Sequence, residues 1–279
     1  MPVFEAFFSR NRIQLQNPGL IIPLAQQFNL LLQLNHNNMP GNRILAFSSS
    51  RVGNSGYLES AAPVIHRFLG DTVLTIAFIP FASVDNDYEQ YTSMVKKGLE
   101  GLPYTIDTVM PATAKETIEK ADVIMVGGGN TFKLLHDIYE LKLLDIIRDK
   151  VNNGAAYIGW SAGSNITGPT IGTTNDMPVI EPKSFNALGL FPFQINPHYA
   201  NIIPAGHNGE TRDQRLEEFI KLNPGLPIVG LPEGTALMLE NGVLQFIGQL
   251  PGVLFYTGDH DHEMIRIEIG VNDDLSHLL

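Results

Sequence analysis

Residues 155–165 read Ala155-Ala156-Tyr157-Ile158-Gly159-Trp160-Ser161-Ala162-Gly163-Ser164-Asn165, and the reading of this stretch decides the fold. Residues 155–158 are a short apolar run with the length of a buried strand, whereas Ser164, Asn165 and Ile166 can continue as a helix. Between them Gly159, Ser161 and Gly163 give the G-x-S-x-G spacing of a nucleophile elbow. There the glycines let the chain turn sharply and lift the serine out at the end of a strand. The turn would set the Ala162 backbone N–H at a helix N-terminus, where it can bind a developing negative charge. A glycine-rich loop that merely holds a serine fits the same letters, so the surrounding chain must choose.

Upstream of the elbow, short strands are expected at 44–47, 73–79, 104–109 and 122–126, the first and last of nearly unbroken apolar character. Helical spacing separates them at 58–69, 88–99, 113–120, 131–139 and 141–151, with Leu58, Ala61, Ala62, Ile65 and Leu69 on one face of the first. Nearly unbroken apolar strands joined by helices call for a mostly parallel sheet covered on both faces, an α/β fold. Downstream, strands are expected at 193–195 and 227–231. From 236 to 269 the character changes to short strands with turns such as Asn241-Gly242, read as a small antiparallel β edge near the C-terminus.

Gly127-Gly128-Gly129-Asn130 closes the strand at 122–126. Neither the phosphate-binding nor the dinucleotide-binding glycine pattern is present with its other parts. In an open α/β sheet the C-terminal strand ends share one edge, so this loop would face the same crevice as the elbow and form a second wall of the serine's site. A flexible turn is the alternative.

Composition limits the function. The chain has 279 residues, 44% hydrophobic and 17% charged, which suits a globular protein with a sizeable core. A net charge of −11 gives no electrostatic case for nucleic acid or an anionic membrane. The absence of cysteine removes disulfides, thiolate metal sites and cysteine nucleophiles, and fits a reducing compartment. Residues 1–38 stand apart. Their apolar piece at 20–34 is interrupted by Gln26, Gln27, Asn29 and Gln33, too polar for a span of about 20 apolar residues. They also lack the layout of a secretory signal. They are expected to be an N-terminal extension, disordered or even upstream of the natural start, with the catalytic domain at 39–279.

A serine hydroxyl needs a base to take its proton. His36 lies in the extension, and His66 and His136 fall in helical patterns that suit structural histidines. His198 stands where an apolar strand meets a loop, and is the expected base; His207 is its nearest rival. His260, His262 and Glu263 have metal-ligand residue types but sit at an expected hairpin tip, and no metal is assigned. The acid that orients the base is expected at Glu233, again just past a strand end. An alternative set, Ser161, Asp213 and His260, follows the chain order of the α/β-hydrolases.

Six segments, VGGGNTFKLL, YIGWSAGSN, TTNDMP, FPFQINPHY, GETRDQR and GLPEGTA, carry a wider resemblance. In order and spacing the chain resembles the peptidase E family over roughly 42–239. The resemblance implies a class I glutamine amidotransferase-like (flavodoxin-like) fold with serine in place of cysteine. It also implies a cytoplasmic serine dipeptidase that hydrolyses dipeptides with an N-terminal aspartate, needs no cofactor and acts as a monomer or homodimer. Ser161 matches the family nucleophile, His198 the base and Glu233 the acid. The implied oxyanion hole uses N–H groups at Ala162 and Gly129. Arg212 resembles the family's clamp for the substrate aspartate, since a guanidinium holds a carboxylate through two parallel bonds; pairing with Asp213 or Glu217 is its structural alternative. Asp176 and Asn130 are expected beside the substrate, Asp176 near its α-amino group. A cyanophycinase-like enzyme, another serine hydrolase such as an esterase, and a non-catalytic small-molecule binder on the same fold are the competing readings.

Overall fold

The structure, a computed structural model, describes residues 42–202, 206, 208–258 and 264–279. The expected N-terminal extension, His36, His207, His260, His262 and Glu263 lie outside the described residues. Among the described residues no helix is long and apolar enough to cross a membrane.

Five parallel strands come from the first half: β1 (Ile44–Phe47), β2 (Leu74–Ile79), β3 (Tyr104–Thr108), β4 (Val123–Val126) and β5 (Ala156–Trp160). The hairpin β8 (Ala236–Glu240) and β9 (Val243–Ile247) completes a seven-stranded sheet in the order β3-β2-β4-β5-β1-β8-β9. Strand β1 lies between the parallel strands and the hairpin. It runs parallel to β5, with Phe47 opposite Trp160, and antiparallel to β8, with Phe47 opposite Ala236.

The four residues of β1 are all buried, yet they alternate between two cores. Ile44 and Ala46 pack with α3 (Ala114–Lys120), α4 (Thr131–Glu140) and α5 (Leu144–Asn152), through Ile118, Leu134 and Ile147. Leu45 and Phe47 pack with α1 (Ala62–Leu69) and α2 (Tyr88–Gly98), through Ile65, Phe68 and Val95. Side chains of a strand alternate across the sheet, so a strand covered on both faces has no polar position. That is why β1 and β4 are apolar throughout.

Element boundaries differ where the backbone turns left-handed. The helix expected at 58–69 begins at Ala62, because Leu58 sits at φ +57° and Pro63 occupies the first turn. The helix expected at 141–151 begins at Leu144, after Lys142 at φ +55°. The elbow strand runs two residues past Ile158, because Gly159 and Trp160 still pair with Ala46 and Phe47 of β1.

The C-terminal strands also divide differently from the single antiparallel edge expected. Asn241 and Gly242, at φ +52° and +77°, close the β8–β9 hairpin onto the main sheet. Strands β10 (Gly252–Thr257) and β11 (Met264–Ile269) instead join β6 (Gln194–Pro197) and β7 (Ile228–Leu231) in a second sheet, ordered β11-β10-β7-β6. Within it β6 and β7 are parallel, with Pro197 opposite Leu231.

Candidate active site

Strand β5 leads directly into Ser161 and the short helix α6 (Ala162–Asn165). Ser161 itself takes the strained backbone, at φ +53° and ψ −114°, a region that a side chain disfavours. The sequence reading gave the turn to the glycines; the structure gives them the close approach instead. A Cβ on Gly163 would lie 2.2 Å from the Val126 carbonyl oxygen, and one on Gly159 2.5 Å from that of Gly163. Only glycines let the elbow pack this tightly on β4. The Tyr157 hydroxyl donates to the Gly163 carbonyl at 2.6 Å, and the Ser161 N–H to the Phe47 carbonyl at 3.2 Å.

The parallel pair β6–β7 brings the other two residues to the elbow. His198 follows β6 and Glu233 follows β7. His198 Nε2 lies 2.9 Å from Ser161 Oγ, and its Nδ1 lies 2.9 Å from Glu233 Oε1. A carboxylate at Nδ1 accepts the proton carried there, which leaves Nε2 as the acceptor for the serine O–H. The side chains of His198 and Glu233 are 40% and 55% exposed, so the pair contributes little to stability.

The glycine loop closes over the elbow from β4. A Cβ on Gly128 would lie 2.9 Å from Ser161 Cβ and 3.0 Å from Trp160 Cδ1. The Gly127 and Asn130 N–H groups donate to Ile79 and Ala82 carbonyls, while those of Gly128 and Gly129 have no acceptor among the described residues. Ala162 opens α6, so its N–H has no preceding turn to bond to. These backbone donors stand free beside the serine.

Two tyrosines absent from the sequence reading hold that loop. The Tyr91 hydroxyl donates to the Gly128 carbonyl at 2.9 Å, and the Tyr57 hydroxyl donates to that of Tyr91 at 3.0 Å. Trp160 Nε1 donates to both, at 3.1 and 3.3 Å. Burial pushes both phenols up, so they keep their protons at neutral pH. Tyr57 and Tyr91 lie 103 and 69 residues from Trp160, and no local spacing announces them. A cavity of about 590 Å³ is lined by Ser161, His198, the loop from Gly128 to Asn130, and Tyr57, Tyr91 and Met94.

Asn130 lines this cavity and caps α4, its Oδ1 accepting the Lys133 N–H at 3.0 Å. Asp176 caps the same helix. Its Oδ2 accepts the Thr131 N–H at 2.7 Å and the Thr131 hydroxyl at 2.6 Å, so one of its oxygens is committed to the fold. Arg212 opens α7 (Arg212–Leu222) and donates to Asn175 Oδ1; Asn175 Nδ2 in turn donates to the Pro197 carbonyl, just before His198, at 2.7 Å. Neither acid weighed as a partner of Arg212 is bonded to it: Asp213 pairs with Arg266 at 3.1 Å and Glu217 with Lys221 at 2.8 Å. Arg212 and Asp176 lie outside the lining of the cavity.

The remaining alternatives fall elsewhere. Asp213 also accepts the Tyr199 hydroxyl at 2.5 Å, and His260, its proposed partner, is outside the described residues. His66 and His136 sit on helices, paired with Asp71 at 2.8 Å and Asp137 at 3.0 Å.

Comparison with known proteins gives the same direction. The model of peptidase family S51 matches residues 44–247. A peptidase E from a Nostoc species is 50% identical over 222 residues, covering 79% of this chain and 92% of its own. A peptidase E from Shewanella oneidensis is 47% identical over 236 residues, covering 84% and 98%. Among solved structures, that of a candidate peptidase E protein from Listeria monocytogenes EGD-e is 25% identical, with a TM-score of 0.59, covering 75% of this chain and all of that one. A peptidase from an acI-B1 actinobacterium shares the fold at 15% identity, with a TM-score of 0.57.

Proposed function

The chain belongs to peptidase family S51, with peptidase E among its relatives, and from that premise we propose that it is a cytoplasmic serine dipeptidase releasing aspartate from Asp-X dipeptides. The observation that carries the mechanism is the Ser161–His198–Glu233 chain, with both hydrogen bonds at 2.9 Å.

Ser161 Oγ attacks the peptide carbonyl as His198 Nε2 takes the hydroxyl proton. Charge grows on the carbonyl oxygen, where the N–H groups of Ala162 and of Gly128 or Gly129 can receive it. The C–N bond then breaks, and His198 returns its proton to the leaving amine. Water enters and gives a proton to His198 as its oxygen attacks the acyl carbon; the bond from that carbon to Ser161 Oγ then breaks, His198 returns the proton to Oγ, and aspartate is released. Glu233 stays ionised and stabilises the imidazolium that forms twice in each cycle.

Specificity is assigned to Arg212. It has no carboxylate partner among the described residues, and burial lowers its pKa, the condition of a cation that gains from an incoming anion. The free oxygen of Asp176 is assigned to the substrate ammonium. A chain without cysteine suits the reducing cytoplasm.

A fluorophosphonate probe tests the nucleophile. The wild-type chain is expected to gain one adduct, mapped by mass spectrometry to Ser161, and Ser161→Ala to gain none. Labelling at another serine would move the nucleophile away from Ser161, and no labelling at all would leave a binding protein on a peptidase fold.

A further inference from the structure

Ser48 is the first residue beyond β1 and is fully buried. Its hydroxyl donates to the Leu231 carbonyl at 2.7 Å and accepts the His198 backbone N–H at 2.9 Å. Its own N–H donates to the Thr235 carbonyl at 2.9 Å. Leu231 ends β7, two residues before Glu233, and its carbonyl also accepts the Tyr199 N–H at 2.9 Å. One hydroxyl therefore joins the backbone of the base to the strand that delivers the acid. Phe47, the residue before it, accepts the Ser161 N–H, so two consecutive residues hold the backbone of Ser161, that of His198 and the end of the strand that leads to Glu233.

His198 needs this hold. It sits at φ +52°, a conformation that a β-carbon disfavours and that persists only when its surroundings fix it. An imidazole turned by a relaxed backbone cannot aim Nε2 at Ser161 and Nδ1 at Glu233 together. We propose that Ser48 is a positioning residue for the base: its hydroxyl fixes the left-handed backbone of His198 and thereby the direction of its ring. Ser48 touches no substrate and acts only through His198. The inference rests on the proposed roles of Ser161, His198 and Glu233.

The test compares the wild-type chain with Ser48→Ala, Ser48→Cys and Thr92→Val. Thr92 is a control, a buried hydroxyl on α2 that donates to the Tyr88 carbonyl at 2.8 Å. Three quantities are read: kcat and KM on Asp-Leu, the rate of fluorophosphonate labelling of Ser161, and the melting temperature. Misplacement of a catalytic group on the 1 Å scale costs on the order of 100-fold, so Ser48→Ala is expected to lose about 10- to 100-fold in kcat, with KM near the wild-type value. Probe labelling slows in parallel. Ser48→Cys falls between, because a thiol is a weak donor and a weak acceptor. Thr92→Val keeps wild-type kcat even where it melts earlier.

Wild-type kcat and labelling rate in folded Ser48→Ala would overturn the proposal, as would an equal kcat loss in Thr92→Val. If Ser48→Ala does not fold, Ser48→Cys decides in the same way: reduced kcat at unchanged KM supports the proposal, and wild-type kcat overturns it. A wild-type chain that labels but does not cleave Asp-Leu contradicts the assigned specificity alone, and the labelling rates then decide for Ser48. A wild-type chain that does neither removes the proposed function and this inference with it.

Discussion

Ser161 and His198 both carry a positive φ, +53° and +52°, and meet Oγ to Nε2 at 2.9 Å. Each such residue costs about 1–3 kcal/mol of strain, which a fold keeps only where the surroundings over-determine it. Here the surroundings are the end of β1, which accepts from one residue and, through Ser48, from the other. Stability is spent at the two positions between which the proposed mechanism transfers a proton.

Glu233→Gln removes the charge that stabilises the His198 imidazolium while keeping an oxygen near Nδ1. Replacing the acid of a related triad costs about 10,000-fold in kcat. Glu233 is 55% exposed and partly screened, so a smaller loss is expected here, about 100- to 1,000-fold. The same exposure predicts a stability change below about 0.5 kcal/mol. Steady-state kinetics with a thermal melt checks both; unchanged kcat would remove Glu233 from the mechanism.

Gly128→Ala places a methyl 2.9 Å from Ser161 Cβ and 3.0 Å from Trp160 Cδ1. The loop must move away from the serine and take its N–H donors with it. Loss of one such donor typically costs about 100- to 1,000-fold in kcat, and that fall is expected with little change in KM. Single-turnover kinetics, which isolates acylation, is the measurement.

Arg212→Ala is expected to lose about 2–4 kcal/mol of transition-state binding on Asp-Leu, from the paired charge. Arg212→Lys recovers part of it, because an ammonium keeps the charge but not the two parallel donors. The ratio of kcat/KM between Asp-Leu and Leu-Leu reports the effect. Equal losses on the two substrates would make Arg212 a structural residue that holds Asn175.

The parallel sheet was legible because burial on both faces leaves continuous apolar runs, as in β1 and β4. The elbow was legible from the spacing of Gly159, Ser161 and Gly163, and the positions of His198 and Glu233 from the ends of apolar runs. The second sheet was not: β6 and β7 are fully buried and read like further strands of the first. Nor was the reason for the elbow glycines, because sequence shows that glycine is present but not that a carbonyl lies 2.2 Å from its absent Cβ. The left-handed backbone of His198 carries no glycine or asparagine to announce it. Tyr57, Tyr91 and Ser48 act through contacts that only the folded chain creates. Ser48, between Phe47 and two further serines, stands at the end of an apolar strand, where sequence names no partner for its hydroxyl.

The most direct test is kcat/KM on a matched set of dipeptides, Asp-Leu, Asn-Leu and Glu-Leu, with N-acetyl-Asp-Leu as the blocked control. With Arg212 assigned to charge and Asp176 to the free ammonium, the proposal requires Asp-Leu to exceed Asn-Leu by at least about 100-fold, the scale of a charge-assisted bidentate contact. The shorter acid should be preferred over Glu-Leu, and the blocked peptide should not be cleaved. Equal turnover of Asp-Leu and Asn-Leu, or hydrolysis of simple esters with none of Asp-Leu, would contradict the account.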